Sequence, residues 1–374
     1  MIHQIKETAF WHLKNLGGKR TSKKLVVFSV DDYGNVRLDS PQARTNMDAA
    51  GMPCYSRFDA LDTLETAADL EALYEVLRSV KDSKGNHAVF TPFALPCNID
   101  FEKMAADDYQ QFFHENLPDT YSKLEALQPA AYQGAWKLWQ QGMAEGIMSP
   151  EFHGREHLNL ILFHDKLNKK SPDLLTALKN RSYTSISEEG YPTISSTAAF
   201  DFATTDQLEP MKKVIQDGLN RFEAVYGKRS HYFTPPVYSI HHSLYPTLVQ
   251  NGVTHIDLGL MHREHQGNGV YKKSLNYMGK NTHEGLQIMV RNIVFEPTED
   301  RGIDWVQYTL RQMEAAFRMK KPAVISSHRV NFCGHIDPKN RQKGLETLKK
   351  LLQEMLRRWP DIEFVSAQQL TQMI

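Results

Sequence analysis

Two short segments of the chain carry residues with the chemistry of a metal site. Asp31 and Asp32 stand at the end of an apolar run, and His153 and His157 lie four positions apart in a later segment. A catalytic zinc commonly takes three protein ligands from His, Asp and Glu and keeps one position for water, whose pKa then falls to about 7. Two imidazoles and one carboxylate fill such a ligand set, and one carboxylate is left over. The residues therefore predict a metal-activated water.

The spacing within each pair bears on its geometry. Adjacent strand residues point in different directions, so Asp31 and Asp32 are predicted to divide the roles of base and ligand between them. His153 and His157 share one face if their segment is helical, because positions i and i+4 are neighbours on a helix. Each pair alone also has an ordinary explanation, as a solvated turn or as part of a helix surface. Their joint occurrence at two predicted strand ends favours the metal site.

Four motifs follow one another along the chain. They are Ser-Val-Asp-Asp-Tyr-Gly at 29–34, His-Gly-Arg-Glu-His at 153–157, Phe-Thr-Pro-Pro at 233–236 and Val-Ile-Ser-Ser-His at 324–328. In this order they resemble the motifs of the polysaccharide deacetylases of the NodB-homology type, carbohydrate esterase family 4. The resemblance covers most of the chain and is most specific in the first two motifs. It implies a barrel fold and deacetylation of a carbohydrate.

The resemblance also implies a role for each matching residue. In that family the first Asp of the first motif is the general base and the second is a metal ligand, which assigns these roles to Asp31 and Asp32. The second motif implies His153 and His157 as the other ligands of a divalent metal, with zinc the preferred ion. A histidine at the end of a late strand is the family's general acid, and His328 matches it.

The third motif departs from the family pattern, which is Arg-x-Pro or Arg-Pro-Pro-Tyr. Thr234 stands at the position of that Arg, so the residue that orients the base in the family is missing there. Arg291, on a neighbouring predicted strand, is either its substitute or a structural ion-pair partner. Substrate-binding roles are expected for four residues at or near the later motifs: Pro235, Tyr238, Arg291 and Asp304. The last of these precedes Trp305, as in an Asp-Trp motif of the family, but is also typical of a helix N-cap.

The elements that must position these residues alternate along the chain. Short apolar runs separated by amphipathic helical patterns favour a parallel sheet, and their number favours a closed barrel. The predicted strands are 25–30, 87–92, 147–153, 232–235, 254–258, 287–292, 323–327 and 362–365. The predicted fold is therefore α/β, a (β/α) barrel of seven or eight parallel strands. Barrel enzymes carry their active sites at the C-terminal strand ends, where the residues named above fall.

The remaining segments are predicted to elaborate one domain. Residues 1–24 are expected to form an N-terminal extension, and residues 25–374 a single barrel. The aromatic-rich segment at about 97–149 is predicted to be a helical insertion on the C-terminal face. The clearest barrel helices are 65–80 and 344–358.

Several histidines lie outside the motifs. Residues 261–282 are rich in Gly, Asn and Lys and are predicted to form a long mobile loop, in which His262 and His265 are solvated. His241 and His242 follow the two prolines and are expected to begin a helix. None of these four is predicted to act in catalysis.

Composition limits the classes of partner and compartment. Lysine and arginine number 44, as do aspartate and glutamate, so no overall field attracts nucleic acid or an anionic membrane, and a neutral substrate fits best. The three cysteines, Cys54, Cys97 and Cys333, are too few and too scattered for a disulfide framework and are expected to be free thiols. The first 24 residues contain no apolar run typical of a signal peptide or transmembrane helix, so the expected location is the cytoplasm.

Three functions are compatible with these patterns. The leading hypothesis is a metal-dependent hydrolase that removes N-linked or O-linked acetyl groups from a carbohydrate, through a metal-bound water and an Asp base. The second is a metal-independent glycoside hydrolase on the same barrel, with an acid and base pair drawn from Asp31, Asp32, Glu151 and Glu156. The third is a carbohydrate-binding barrel that has lost the reaction, which the missing Arg favours. The sequence contains no serine-hydrolase elbow, phosphate-binding loop or dinucleotide fingerprint.

Overall fold

The computed structural model describes residues 2–374, apart from the side chains of residues 2–6 and 8. The strands are β1 (Lys24–Tyr33), β2 (Phe90–Ala94), β3 (Cys97–Ile99), β4 (His114–Asn116), β5 (Glu151–Phe152), β6 (Tyr232–Phe233), β7 (His255–Asp257), β8 (Met261–His265), β9 (Tyr271–Leu275), β10 (Lys280–Asn281), β11 (Gln287–Met289), β12 (Ile293–Val294), β13 (Ala323–His328) and β14 (Ile362–Phe364).

The helices connect these strands. The α-helices are α1 (Ile2–Lys14), α2 (Pro41–Ala49), α3 (Arg57–Leu61), α4 (Ala67–Arg78), α5 (Phe101–Ala106), α6 (Leu117–Leu127), α7 (Pro129–Tyr132), α8 (Ala135–Ala144), α9 (Leu160–Asn168), α10 (Pro172–Lys179), α11 (Leu208–Tyr226), α12 (Tyr245–Gln250), α13 (Trp305–Arg318), α14 (Pro338–Arg358) and α15 (Ala367–Met373). Short 3-10 turns occupy Thr205–Gln207, Pro236–Tyr238, His242–Leu244 and Arg329–Phe332.

Ten strands form one curled sheet in the order β10-β11-β7-β6-β5-β2-β1-β13-β12, with β14 paired to the start of β1. All of these pairings are parallel except β10 with β11. The single segment 287–294 pairs with β7 through β11 and with β13 through β12, so it connects the two sides of the sheet. The predicted α/β fold is confirmed as a mostly parallel, barrel-like sheet with flanking helices, and each of the eight predicted strands is present.

Strand β1 shows why this sequence forms a central strand. It is buried along nearly its whole length, as expected for a parallel strand covered on both faces. Leu25 and Val27 belong to an inner cluster with side chains from β2, β6, β11 and β13. Val26, Phe28 and Val30 belong to the larger cluster that includes the helices. The alternation has the period of two that a strand imposes.

Helix α14 begins six residues before its predicted start. Pro338 occupies its first turn, where the missing N–H has no intrahelical partner to lose, and the Asp337 side chain accepts a hydrogen bond of 3.0 Å from the Lys339 N–H. The predicted apolar stripe is buried along its length: Leu345, Leu348, Leu351, Leu352 and Met355. The other predicted helix, 65–80, corresponds to α4. This helix begins with a capping box formed by Thr66 and Asp69.

The prediction of a mobile loop at 261–282 is wrong. Strands β8 and β9 form an antiparallel hairpin, and the burial of β8 alternates over its first four residues, from exposed Met261 to buried Glu264. Residues 267–269, Gly-Asn-Gly, make the turn, all with positive φ. His262 and His265 are buried rather than solvated. The glycines and asparagine that suggested a loop therefore belong to a hairpin turn.

The segment at 97–149 is helical only in part. It contains α5 to α8 but also the antiparallel pair β3 and β4. Trp139 is fully buried, and its Nε1–H donates a hydrogen bond of 2.8 Å to Glu65. Its ring therefore belongs to a local core. The division of the chain into an N-terminal extension and one barrel stays a prediction. Within residues 2–374 no helix has both the length and the apolar character needed to span a bilayer.

Candidate active site

Asp31 lies at the C-terminal end of β1 and continues the inward alternation of Leu25 and Val27. Its carboxylate receives two hydrogen bonds from Arg291, 2.6 Å from Nη1 to Oδ2 and 2.8 Å from Nη2 to Oδ1. This fork-to-fork arrangement fixes both oxygens in one plane. Both side chains are buried.

Arg291 is held from its other edge as well. Its Nε donates a hydrogen bond of 2.7 Å to Asp257, and its Nη2 donates one of 2.9 Å to the Thr234 hydroxyl. Burial lowers the pKa of this guanidinium, but Asp31, Tyr238 and Asp257 together raise it well above its usual value. Arg291 lies in the link between β11 and β12, so it approaches Asp31 from a different segment than the third motif. It is both an ion-pair partner and the residue that orients Asp31.

Asp32 faces a different set of partners. Its φ is +73°, and the pairing of β1 with β2 shifts register between Val30 and Tyr33. A left-handed conformation costs a non-glycine residue roughly 1–2 kcal/mol, although Asp tolerates it better than most. The Asp32 Oδ1 atom lies 3.2 Å from Nε2 of His157 and 3.5 Å from Nε2 of His153. This bend separates the two adjacent carboxylates.

The two histidines reach Asp32 without a helix. His153 and His157 lie in the loop between β5 and α9, which begins at Leu160, so the helix that a shared helical face requires is not present at these residues. Gly154, with φ of +118°, turns the chain between them. The His153 Nδ1–H donates a hydrogen bond of 2.7 Å to the Thr234 carbonyl. Nε2 of His153 is therefore directed at Asp32.

These three residues fit a divalent metal. Their ligand atoms lie within 4.8 Å of one another, and all three side chains are buried. Nε2 of His153, which faces Asp32, is buried without a hydrogen-bond partner, which is costly for a polar atom unless a ligand satisfies it. Two imidazole nitrogens and a carboxylate oxygen are donors that suit zinc.

The protonation states of the triad also favour a cation. Burial raises the pKa of Asp32, but the imidazoles of His153 and His157 outweigh this and hold the pKa well below its usual value. Burial lowers the pKa of His157. An ionised carboxylate and neutral imidazoles are the forms that bind metals.

His328 ends β13 and stands directly beside Asp31, its partner in the strand register. Its Nε2 lies 4.0 Å from Oδ2 of Asp31, and its Nδ1 lies 2.7 Å from Oε1 of Glu296. Burial lowers the pKa of His328, but Glu296 and then Asp32 and Asp31 raise it to about 9. The imidazole is therefore protonated at neutral pH.

Glu296 was not among the residues predicted from the sequence. It also receives a hydrogen bond of 2.8 Å from Asn331 and an ion pair from Arg57. Burial raises the pKa of Glu296, but His328 and Arg57 are among the groups that lower it below its usual value. Asp257 was missed too. Both lie within or a few residues beyond predicted strands, so a survey of carboxylates near each strand end would have found them.

A cavity of about 270 Å³ brings most of the predicted residues together. Its walls are Asp31, Asp32, Arg37, Phe58, His153, His157, Thr197, Thr234, Pro235, Val237, Tyr238 and His328. Arg37, Phe58 and Thr197 were not predicted. A second cavity of about 440 Å³ shares Arg37 and Thr197 with the first, so the two adjoin.

Asp304 lies apart from this cavity. Its side chain accepts a hydrogen bond of 3.1 Å from the Gln307 N–H and caps α13, and it lines a separate surface depression. The structure therefore does not bring Asp304 to the residues with which it was predicted to act. Asp304 is an N-cap residue, the usual role of an Asp at the start of a helix.

No protein-family model and no curated protein matches the chain. It aligns with a Mycobacterium smegmatis structure that carries the provisional name polysaccharide deacetylase, at 12% identity over 95% of this chain and 92% of that chain, with a TM-score of 0.47. A peptidoglycan deacetylase from Bacillus subtilis aligns at 10% identity over 94% and 91%, with a TM-score of 0.32. A 4-alpha-glucanotransferase from Thermococcus litoralis aligns at 8% identity over 96% and 41%, with a TM-score of 0.47. At these values the likenesses carry no argument about chemistry.

Proposed function

We propose that the protein is a metal-dependent hydrolase that removes acetyl groups from a carbohydrate. The observation that carries the proposal is the buried triad of Asp32, His153 and His157, in which the unpartnered Nε2 of His153 faces Asp32. A second carboxylate, Asp31, is held beside it by Arg291. A divalent metal held by the triad, preferably zinc, would lower the pKa of a bound water and polarise the acetyl carbonyl.

Asp31 is the proposed general base. Arg291 orients both of its oxygens and stabilises the negative charge, so the carboxylate is available to accept a proton from the attacking water. Asp31 lines the same cavity as the triad. Attack of the water oxygen on the acetyl carbon forms the new C–O bond, and the proton released by the water passes to Asp31.

His328 is the proposed general acid. Glu296 binds its Nδ1, which leaves the Nε2–H free to face the cavity. A pKa of about 9 keeps this proton in place at neutral pH. When the bond between the acetyl carbon and the sugar nitrogen or oxygen breaks, His328 gives its proton to the leaving atom, and acetate and the deacetylated sugar are released.

The adjoining cavity suits the rest of a sugar chain. Hydroxyl side chains make up much of its wall: Ser56, Thr184, Ser185, Ser187, Ser195, Ser196 and Thr197. Tyr55, which is 66% exposed, offers an aromatic face of the kind that packs against a pyranose ring. Arg37 lies where the two cavities meet, with its guanidinium 5.1 Å over the Phe58 ring and its Nε buried without a hydrogen-bond partner. It is placed to bind sugar hydroxyls or the acetyl oxygen.

The glycoside hydrolase hypothesis finds less support. Glu151 is engaged by Ser230 and Lys228, and Glu156 is paired with Arg155. Neither carboxylate lines the catalytic cavity. The hypothesis of a silent binding barrel rested on the missing Arg of the third motif, and the contact between Arg291 and Asp31 removes that argument.

Acetate release tests the proposal. Acetylated oligosaccharides with N-acetyl or O-acetyl groups are incubated with the protein before and after exhaustive chelation. We expect acetate release that stops on chelation and returns when Zn²⁺ is added. Release that persists after complete metal removal would contradict the proposal, and new reducing ends without acetate would favour the glycoside hydrolase.

A further inference from the structure

A second group of metal-ligating side chains lies outside the catalytic cavity. His241 and His242 stand at the start of the 3-10 turn His242–Leu244, and Glu264 lies on β8. One ligand atom from each residue lies within 4.8 Å of the others. Nε2 of His241 is 3.9 Å from Oε1 of Glu264, and Nδ1 of His242 contacts the same oxygen. We call these three residues the hairpin cluster.

The surroundings orient the hairpin cluster for a ligand. His241 and Glu264 are buried, whereas the His242 side chain is half exposed and gives access from solvent. The Nδ1 atom of His241 lies 2.8 Å from the Ser243 hydroxyl and 3.2 Å from the Ser243 N–H, contacts that fix the ring. Metal binding through Nε2 requires the tautomer whose Nδ1–H donates to the hydroxyl, as in histidines that bind metals.

His262 supplies an independent observation. It lies two residues before Glu264 on β8, so both side chains leave the same face of the strand. It is 6% exposed, and its Nε2 is buried without a hydrogen-bond partner. A buried imidazole nitrogen without a partner is costly, and this ring stands on the same face of β8 as the carboxylate of the cluster.

We propose that His241, His242 and Glu264 form a second binding site for a divalent cation of the zinc class. Two imidazole nitrogens and one carboxylate oxygen satisfy the ligand chemistry of zinc. The site shares no residue with the triad of Asp32, His153 and His157. It therefore does not depend on the proposed hydrolase function.

Position along the chain indicates what this cation does. Only Ser239 and Ile240 separate His241 from Tyr238, which lines the catalytic cavity with a φ of +55°. A cation bound by His241 and Glu264 joins this wall of the cavity to the β8–β9 hairpin. The metal thus restrains the backbone that carries Pro235 and Tyr238, and its role is structural.

The alternative is a cluster held by hydrogen bonds alone. Glu264 accepts a bond of 2.8 Å from the His242 N–H as well as the contact from the ring, so it can fasten the turn without a metal. The two explanations differ in how much metal the protein binds.

Metal analysis of the full chain after equilibration with Zn²⁺ distinguishes them. We expect the His242→Ala/Glu264→Gln variant to bind about one equivalent less zinc per chain than the wild type. His242 is half exposed, so the single variant His242→Ala should fold and is measured as well. His283→Ala removes an exposed histidine outside the cluster and should leave the zinc content unchanged.

A second measurement isolates the hairpin cluster from the catalytic triad. In a folded His153→Ala/His157→Ala variant, we expect Zn²⁺ still to bind and to raise the melting temperature, because a ligand that binds only the folded state stabilises it. Adding His242→Ala and Glu264→Gln should abolish that shift. Equal zinc content in the wild type and in His242→Ala/Glu264→Gln would overturn the proposal, whatever happens at the triad.

Discussion

The two adjacent carboxylates of β1 differ in how completely their partners satisfy them. Around Asp31, Arg291 and Asp257 form a closed network in which each charged group has a counter-charge and hydrogen bonds. Around Asp32, Nε2 of His153 is buried without a hydrogen-bond partner. A closed network holds a side chain in one orientation, which a base requires. An incomplete one leaves a polar atom for a further ligand to satisfy.

The same contrast separates His328 from the other histidines of the cavity. His328 has a carboxylate on its Nδ1 and is held in the charged form, whereas His157 is kept neutral by burial. A protonated imidazole cannot bind a metal, and a neutral one is a poor acid. On the proposed function, one side of the cavity serves proton transfer and the other side binds the metal.

The largest effect is expected when the division between the two carboxylates is broken. Asp31→Asn cannot accept a proton, so we expect kcat to fall by about 10²–10⁴-fold while zinc content stays at the wild-type level. Asp32→Asn should lose about one equivalent of zinc, because an amide is a weaker ligand than a carboxylate. Zinc content and acetate release are measured on both. Loss of zinc in Asp31→Asn would exchange the two roles.

Removing the centre of the closed network should cost stability. Arg291→Met leaves Asp31 and Asp257 buried without a counter-charge, and breaking a buried pair in this way typically costs about 3–5 kcal/mol. Urea unfolding at neutral pH measures the change. Arg318→Met removes an exposed ion pair with Glu314 and serves as the control, with an expected change within about 0.5 kcal/mol. Equal losses in the two variants would show that Arg291 does not hold the network together.

Most of the framework could be predicted because it depends on local patterns. Apolar runs such as 25–30 and 323–327 are buried strands, and parallel strands necessarily bring their carboxyl ends to one edge of the sheet. That is why Asp31 and His328, distant in sequence, lie side by side. Whether they act as base and acid stays a prediction.

The rest depends on contacts that sequence patterns do not encode. The convergence of His153 and His157 required a turn at Gly154 rather than a helix. Glu296 reaches His328, and Arg37 reaches the cavity, through the paths of their loops, which have no periodic signal. The hairpin at 261–275 was missed because only the first four residues of β8 alternate in burial, and the glycines of its turn are common in mobile loops too.

A smaller loss of activity is expected at His328. His328→Ala removes the proposed proton donor, so kcat should fall by roughly a hundredfold or more, the usual contribution of a positioned acid. Zinc content should not change, since His328 is not among the triad. His231→Ala, at an exposed histidine bonded to the Gly252 carbonyl, is the control and should keep full activity. A wild-type rate with an authentic substrate would show that another group protonates the leaving atom.

The smallest effect is expected when only the charge of Glu296, the carboxylate bonded to His328, is removed. Glu296 is the leading cause that raises the pKa of His328 to about 9, against the lowering effect of burial. Because this folded-state pKa exceeds the ordinary value of about 6.5, the ion pair stabilises the metal-free protein fully below pH about 6.5, and that contribution is lost as the pH rises towards 9. In Glu296→Gln the pKa should fall, and the difference in melting temperature between wild type and variant should narrow as the pH rises through this range. Histidine NMR titration of the metal-free proteins measures the pKa directly, and an unchanged value in Glu296→Gln would mean that His328 does not owe its charge to Glu296.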